Sequence, residues 1–462
     1  MSETPAIVVS DAPAAQDLPR PVALRRNRGF MLFWAGQSIS QLGDQVTSLA
    51  LPLIAVTLLH ASTFEVSALT AVSWLPALLG AAAGTWIDRR PDKRALMLGA
   101  DLGRAVVLFS LPAAVLLGHV TLIQLYLVAL LTGAISLVFN TTYTAFFTRL
   151  VQQDSYVAAN SRLSVSQSAA SVVGPAAGGT LVQVLGAPVA VLADALSFLA
   201  SAAFVSRIQL SPPEAKPENA ATDADAEQAD PTPPSFRGEL KQGWLFVTRD
   251  PIMRASLAGT TTINFFTFLT GTSLLVLFAT RTLGLSAATI GAALGIGATG
   301  SLLGALVAGR IGARLGIGRA VALGAVLFPA PFALVAMAGG PTALRTGVLG
   351  ASEFLVGAGV MIFDVNQNSI LVAAVPDGMR SRVAGVYSSI NYGVRPLAAL
   401  AGGILATHAG LRATFLTVAV GGSLSLLWFL ASPMPRIKTL DTIDSLRHAS
   451  SEPASETAGP PR

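Results

Sequence analysis

The chain contains no cysteine. That excludes a disulfide framework, a thiolate metal site and a cysteine nucleophile. Its four histidines stand nowhere at metal-ligand spacing, so no metal and no cofactor is expected. No GxxxxGK loop followed by Ser or Thr is present to hold nucleotide phosphates, which argues against an ATP-driven pump. Neither a GxSxG elbow nor an HExxH helix occurs, so the chain does not read as an enzyme. Charge is scarce as well: 12% of the 462 residues are charged, against about 25% in a soluble domain.

Apolar sequence is abundant, with 52% hydrophobic residues and a mean hydropathy of +0.62. Such a chain hides most of its surface in lipid. A spanning helix needs about 20 apolar residues, and the apolar stretches accommodate a dozen. They do not alternate as barrel strands do. The expected class is therefore an all-α integral membrane protein with twelve transmembrane helices. Six spans fall near residues 29–58, 64–87, 95–118, 121–147, 160–186 and 187–208. Six more fall near 252–280, 286–310, 319–339, 343–375, 381–410 and 411–433. This divides the chain into a tail (1–28), a first bundle (29–208), a linker (209–250), a second bundle (251–435) and a second tail (436–462). The start of the linker is acidic, rich in Pro and Ala and almost free of large apolar residues, which suits a flexible tether. Its end, from Phe236 to Asp250, patterns as an amphipathic surface helix through Leu240, Trp244, Leu245 and Val247.

The net charge of +5 resides in loop arginines and does not indicate nucleic-acid binding. Arg89, Arg90, Lys93, Arg94, Arg149, Arg162, Arg310, Arg314, Arg319, Arg380 and Arg382 share one set of loops; Arg281, Arg345 and Arg412 occupy the alternate set. By the positive-inside rule both termini and the linker face the cytoplasm. Residues 1–27 are polar and proline-containing and do not read as a cleavable signal. The expected location is a bacterial inner membrane, with lipid as the solvent and a monomer sufficient to complete the bundle.

The two halves repeat. The charged loop GTWIDRRPDKR at residues 84–94 returns as GRIGARLGIGR at 309–319, with Ala313 replacing Asp88. A shift of 224 positions pairs Phe139 with Phe363, Ser164 with Ser388, Gly178 with Gly402 and Gly179 with Gly403. Internal duplication of this kind marks transporters with a site between the halves.

Gly84, Asp88, Arg89, Lys93 and Arg94 between the second and third spans resemble the loop signature of the major facilitator superfamily, with Pro91 where that family has glycine. The resemblance implies two pseudo-symmetric six-helix bundles with a substrate site near the midplane. It also implies an inward gate held by Asp88, with Arg314 in the second copy. Gly174, Pro175, Gly178 and Gly179 in the fifth span resemble the motif of exporters that exchange substrate for protons; Ala170 replaces the usual upstream glycine. Phe33-Trp34, Gly36-Gln37, Ser40 and Gly43-Asp44, with the DALSFLAS run from Asp194, resemble the enterobactin-exporter and macrolide-efflux branch.

These likenesses imply a secondary exporter of small amphipathic molecules by alternating access, with protons as coupling ion. A gradient-driven importer of a nutrient and a non-transporting membrane sensor stand as alternatives. Fold alone does not choose among them.

Ionisable residues inside lipid ask for a reason. Asp44, near the middle of the first span, heads a polar stripe with Gln37, Gln41 and Gln45 and is the first candidate to carry the proton. Glu353 is the second. Its leading reading is a pair with Arg395 of the eleventh span; alternatively it carries a proton or meets a cationic substrate. Asp101 and Arg104, three apart, read as a structural ion pair. Gln37, Gln41, Asn264, Phe265, Phe268, Asn391, Tyr392 and Arg395 are cavity candidates for an amphipathic substrate. Asp364, Asn366 and Asn368 fall near the gate.

Overall fold

The computed structural model describes residues 24–209 and 236–443. Most of the linker and the outer parts of both tails lie outside the described residues. The described chain is helical and carries no strand. Lipid leaves backbone N–H and C=O groups no water to bond, and helices satisfy them within one segment.

In the first half, α1 (Arg28–Leu53) ends in a π-helical turn, Ile54–Leu58. The second rod is α2 (Thr63–Trp74), a 3-10 turn at Leu75–Leu79, and α3 (Gly80–Asp88). Next come α4 (Lys93–Leu116), α5 (Leu122–Leu150), α6 (Tyr156–Leu185) and α7 (Ala187–Val205). The surface helix foreseen at the end of the linker is α8 (Phe236–Arg249). Its Gln242 accepts from Arg382, and Val247 is buried while Trp244 is exposed.

The second half opens with α9 (Pro251–Phe268) and α10 (Gly271–Leu277), closed by a π-helical turn at Phe278–Thr282. It continues with α11 (Ala287–Leu315), α12 (Ile317–Leu327) and α13 (Phe332–Met337). It ends with α14 (Thr342–Ala374), α15 (Arg380–Ala409), α16 (Leu411–Ser423) and α17 (Ser425–Leu430).

Among the described residues nine rods are long and apolar enough to cross a membrane. The other three of the twelve are α1, α2 with its continuation, and α15. Two of these are long but carry the polar stripe of Gln37–Asp44 and the Asn391–Arg395 pair respectively. They are polar because they face protein and cavity, not lipid.

The duplication runs through the helix ends. Starts at Thr63 and Ala287, Lys93 and Ile317, Tyr156 and Arg380, and Ala187 and Leu411 all stand 224 positions apart. So do the two π-helical turns. Ser62 and Ser286, also equivalent, each cap a helix by accepting from the backbone N–H three residues on. Gly186 and Gly410 (φ +84° and +86°) make equivalent one-residue turns that a side chain would strain. The second charged loop is the exception: α11 runs on to Leu315, so its copy is a helix end and the single-residue turn Gly316, at φ +91°.

The halves meet through α6 against α11, α2 against α15, and α1 and α2 against α10. Small residues allow this. A Cβ on Gly179 would overlap the Ala287 backbone, one on Gly291 the Pro175 carbonyl, and one on Gly403 the Ser67 side chain; within the second half, one on Gly402 would overlap the Leu269 carbonyl. Between the middle and the arginine-poor end, Thr70 Oγ1 donates to Ser273 Oγ at 2.7 Å. At that end Arg281 Nη2 donates across the halves to the Ala61 carbonyl at 2.8 Å and the Val56 carbonyl at 3.4 Å.

Gly402→Ala is therefore expected to cost roughly 1–3 kcal/mol through overpacking. Gly309, which has open space where a Cβ would go, should accept alanine with a gain of up to about 1 kcal/mol in helix propensity. Melting temperatures of the two variants in detergent, compared with wild type, check both signs.

Candidate functional site

Two cavities lie on the axis between the halves. The outer one, toward the arginine-poor end, has a volume of about 410 Å³. Both halves wall it: Ser48 and Pro52 of α1, Thr70 and Trp74 of α2, Phe268 of α9, Ser273 and Leu275 of α10, Phe332 of α13, and Glu353 of α14. The inner one, of about 460 Å³, runs toward the arginine-rich end. It is lined by Asn264, Asp364, Gln367, Asn368, Arg380, Asn391, Tyr392 and Arg395.

A layer of rings and one guanidinium separates them. Arg395 lies over Trp74 at 4.3 Å, Phe268 at 4.5 Å and Tyr392 at 4.7 Å. Trp74 stacks on Tyr392 at 6.1 Å and meets Phe268 edge-on at 5.5 Å. Arg395 Nε and Nη2 both donate to Asn264 Oδ1, at 3.2 and 3.1 Å, and Asn264 Nδ2 donates to Asn391 Oδ1 at 3.3 Å. Ring faces attract cations, and a desolvated contact is worth about 2 kcal/mol.

This corrects the expected Glu353–Arg395 pair. Arg395 takes rings and an amide as partners, and the one ion pair among the described residues is Arg104 with Asp101. Glu353 Oε1 is buried without a hydrogen-bond partner. The rings of Trp74 and Phe268 intervene in the layer that holds Arg395. Trp74, from the first half, was not distinguished by any motif.

In the first half, α1, α4 and α7 bring three carboxylates together around one guanidinium. Arg104 Nη2 meets Asp101 Oδ1 at 2.6 Å, and Ser201 Oγ donates to Asp101 Oδ2 at 2.7 Å. The Arg104 guanidinium sits between the rings of Phe198, at 4.0 Å, and Phe139, at 4.5 Å. Buried Asp194 accepts from Thr47 and from Ser197, the latter at 3.0 Å. Gly43 makes room for that acid, since a Cβ there would overlap Asp194 Oδ1. The signal in sequence for Asp194 was a lone carboxylate in an apolar span.

Asp44 differs from its two neighbours in being exposed. It lies within electrostatic reach of Arg104, Asp101 and Asp194. At helical spacing it shares a face with Gln41 and with Ser48, which lines the outer cavity. Gln37 Nε2 and Gln41 Oε1 are buried without partners. Phe265 packs edge-on against Phe266 at 5.4 Å and joins the hydrophobic core, away from both cavities.

The Gly174–Gly179 motif has a spatial reason. A Cβ on Gly174 would overlap Gln45, and one on Gly178 would crowd Val46, both on α1. Gly179 and the Pro175 carbonyl face α11 of the other half. The motif lets α6 sit tightly between the helix of Asp44 and the opposite bundle.

At the charged loop, Lys93 Nζ donates to the Ile87 carbonyl at 2.5 Å. Arg94 donates to the carbonyls of Val205, at 3.2 Å, and Ser206, at the end of α7. The side chain of Asp88 lies outside the described residues. Arg89 and Arg314 are exposed on the same end of the molecule, and Asn366 donates to the Ala308 carbonyl at 3.3 Å.

An all-helical chain that crosses a membrane many times and holds polar cavities between two repeated bundles is a transporter, not an enzyme. Residues 33–398 and 260–456 match the Major Facilitator Superfamily, and the chain belongs to it. It is 26% identical over 400 residues to the MFS-type transporter YfiS of Bacillus subtilis, covering 85% of this chain and 90% of that one. It is 26% identical over 415 residues to the multidrug efflux pump Tap of Mycolicibacterium fortuitum, covering 86% and 94%. In fold it matches a bacterial homologue of the iron transporter ferroportin in an inward-facing state. That match has a TM-score of 0.68 and 17% identity, over 89% of this chain and 99% of that one. The nucleoside transporter NupG matches with a TM-score of 0.62 and 16% identity, over 88% and 98%.

Arg104→Met should leave Asp101 charged, buried and alone, at a cost of about 3–5 kcal/mol. The double variant Asp101→Leu with Arg104→Met should recover most of that loss. Thermal melting in detergent and yield in the membrane fraction test both expectations.

Proposed function

We propose that this transporter is a secondary exporter of small amphipathic molecules of the drug, macrolide or siderophore-like kind. It works by alternating access with Asp44 as the proton carrier. One observation carries the reading. Asp44 is a carboxylate with exposed surface, one helical turn before the cavity-lining Ser48 on α1, beside two buried carboxylates that are held by hydroxyls and an arginine. A carboxylate that water can reach, within the field of others that it cannot, is placed to take up and release a proton as the halves move. The likeness to Tap, a multidrug efflux pump, and the close fit of α6 between α1 and α11 support export. The rings of Trp74, Phe268 and Phe332 and the amides of Asn264 and Asn391 suit amphipathic substrates.

With the arginine-rich loops and both termini in the cytoplasm of a bacterial cell, the contacts of Thr70, Ser273 and Arg281 close the outer side. The inner cavity then opens toward the cytoplasm. Asp88 and the exposed Arg89 and Arg314 stand at the mouth that closes in the opposite state. A single chain suffices for this cycle.

In a pump-deficient bacterial host, expression is expected to raise tolerance to members of a panel of macrolides, chelators, dyes and lipophilic cations, and Asp44→Asn to abolish the increase. Full gradient-driven transport by Asp44→Asn would remove the proton role. Tolerance unchanged for every compound, with the protein in the membrane, would return weight to the importer or sensor readings. The outer closure is checked separately. Arg281→Gln should raise outside labelling of a cysteine introduced by Ser48→Cys several-fold, because each lost hydrogen bond removes about 1 kcal/mol from the closed state.

A further inference from the structure

The outer cavity holds an electrostatic imbalance. Among the described residues Glu353 is the sole charged group on its wall. One of its carboxylate oxygens is buried and unpartnered. Arg395, on the wall of the inner cavity, is committed to Asn264 and to the rings of Trp74, Phe268 and Tyr392. An ionised Glu353 finds no counter-charge on this wall, and an isolated buried charge is strongly unfavourable, so a cation that enters the cavity is the partner that would hold it ionised.

The walls restrict what can supply it. Trp74, Phe268 and Phe332 present rings, and Thr70 donates its hydroxyl to Ser273. A hard metal ion is held chiefly by several carboxylates and carbonyls; this wall has one carboxylate, and the hydroxyls of Ser48, Ser73, Thr267 and Thr270 are turned to backbone carbonyls. An organic cation finds ring faces for its charge and apolar surface for its body. Arg395 already shows two of these rings holding a delocalised cation.

We infer that the outer cavity is a binding site for an amphipathic organic monocation. Its charge is held by Glu353 and its body by Trp74, Phe268 and Phe332. One carboxylate matches one positive charge. The site deepens the export reading and rests on it for the direction of movement, but the binding itself does not depend on that direction.

The test uses the full chain in lipid nanodiscs without any gradient. Calorimetry compares tetraphenylphosphonium, a permanent monocation, with triphenylphosphine oxide, a neutral body of similar shape. Wild type should bind the cation, and Glu353→Gln should weaken it on the order of tenfold while leaving the neutral compound unchanged. A second readout guards against a folding defect. In Ser48→Cys, the single thiol of the chain, the cation should slow maleimide labelling and the neutral compound should not. The protection should vanish in Ser48→Cys with Glu353→Gln.

Equal cation binding by wild type and Glu353→Gln overturns the assignment, as does a wild type that neither binds nor is protected. Glu353-dependent binding without raised tolerance in cells would remove the export reading and leave the site. Raised tolerance to other compounds with Glu353-indifferent binding would do the reverse.

Discussion

Within lipid a polar group has no water to fall back on, and every polar atom of this molecule has to find its partner inside the protein. Helices solve this for the backbone. Side chains follow the same rule: Thr57, Thr141, Thr262 and Thr280 return their hydroxyl protons to the carbonyl four residues back. The arginines of the arginine-poor end do likewise. Arg345 donates to Leu283 and Gly340, Arg412 to Ala336 and Ala338, and Arg281 to Val56 and Ala61. All three occupy carbonyls at helix ends that have no partner within the helix. Only the last pair crosses between the bundles, and so only Arg281 ties this chemistry to the relative position of the halves.

Against that background the unpartnered groups stand out. Among them are Gln37 Nε2 and Gln41 Oε1 on α1, Gln367 Oε1 on the wall of the inner cavity and Glu353 Oε1 on that of the outer one. A protein that must satisfy its polar atoms leaves a few open where something else is to bind. The Asp101–Arg104 pair has its charges matched and enclosed by Ser201, Phe139 and Phe198, although Arg104 Nε is itself without a hydrogen-bond partner.

Close packing without a hydrophobic drive between lipid-exposed helices depends on small residues. Here equivalent glycines do the same work and adjacent ones differ. Gly178 abuts α1 within its own bundle, and its equivalent Gly402 abuts the Leu269 carbonyl within the second bundle. Gly179 abuts Ala287 of the other half, and its equivalent Gly403 faces Ser67 of the other half. The second pair thus places α6 and α15 symmetrically at the two seams between bundles. A buried side-chain cluster, with Leu49 and Ile54 of one half and Leu274 and Phe278 of the other, also joins the bundles.

Class, duplication and most helix ends were legible in the sequence, because each depends on local features. Apolar length sets a span, Ser62 and Ser286 set helix starts, and Gly186 and Gly410 set turns. The Asp101–Arg104 pair was legible for the same reason, since three residues along a helix place two side chains on one face. The partners of Glu353 and Arg395 were not. Depth in the membrane put them at a similar level, but which side of each helix faces the other is decided by rotation and packing. Trp74 and Phe268 come from different bundles and enter the layer only when the end of α2 meets the end of α9. The sequence by itself determined that this chain is a duplicated, charge-poor bundle of membrane helices with acids where acids are costly. Only the tertiary structure decided which of those acids are matched, which face a cavity, and which cation is held by rings, because these depend on contacts between residues up to hundreds of positions apart.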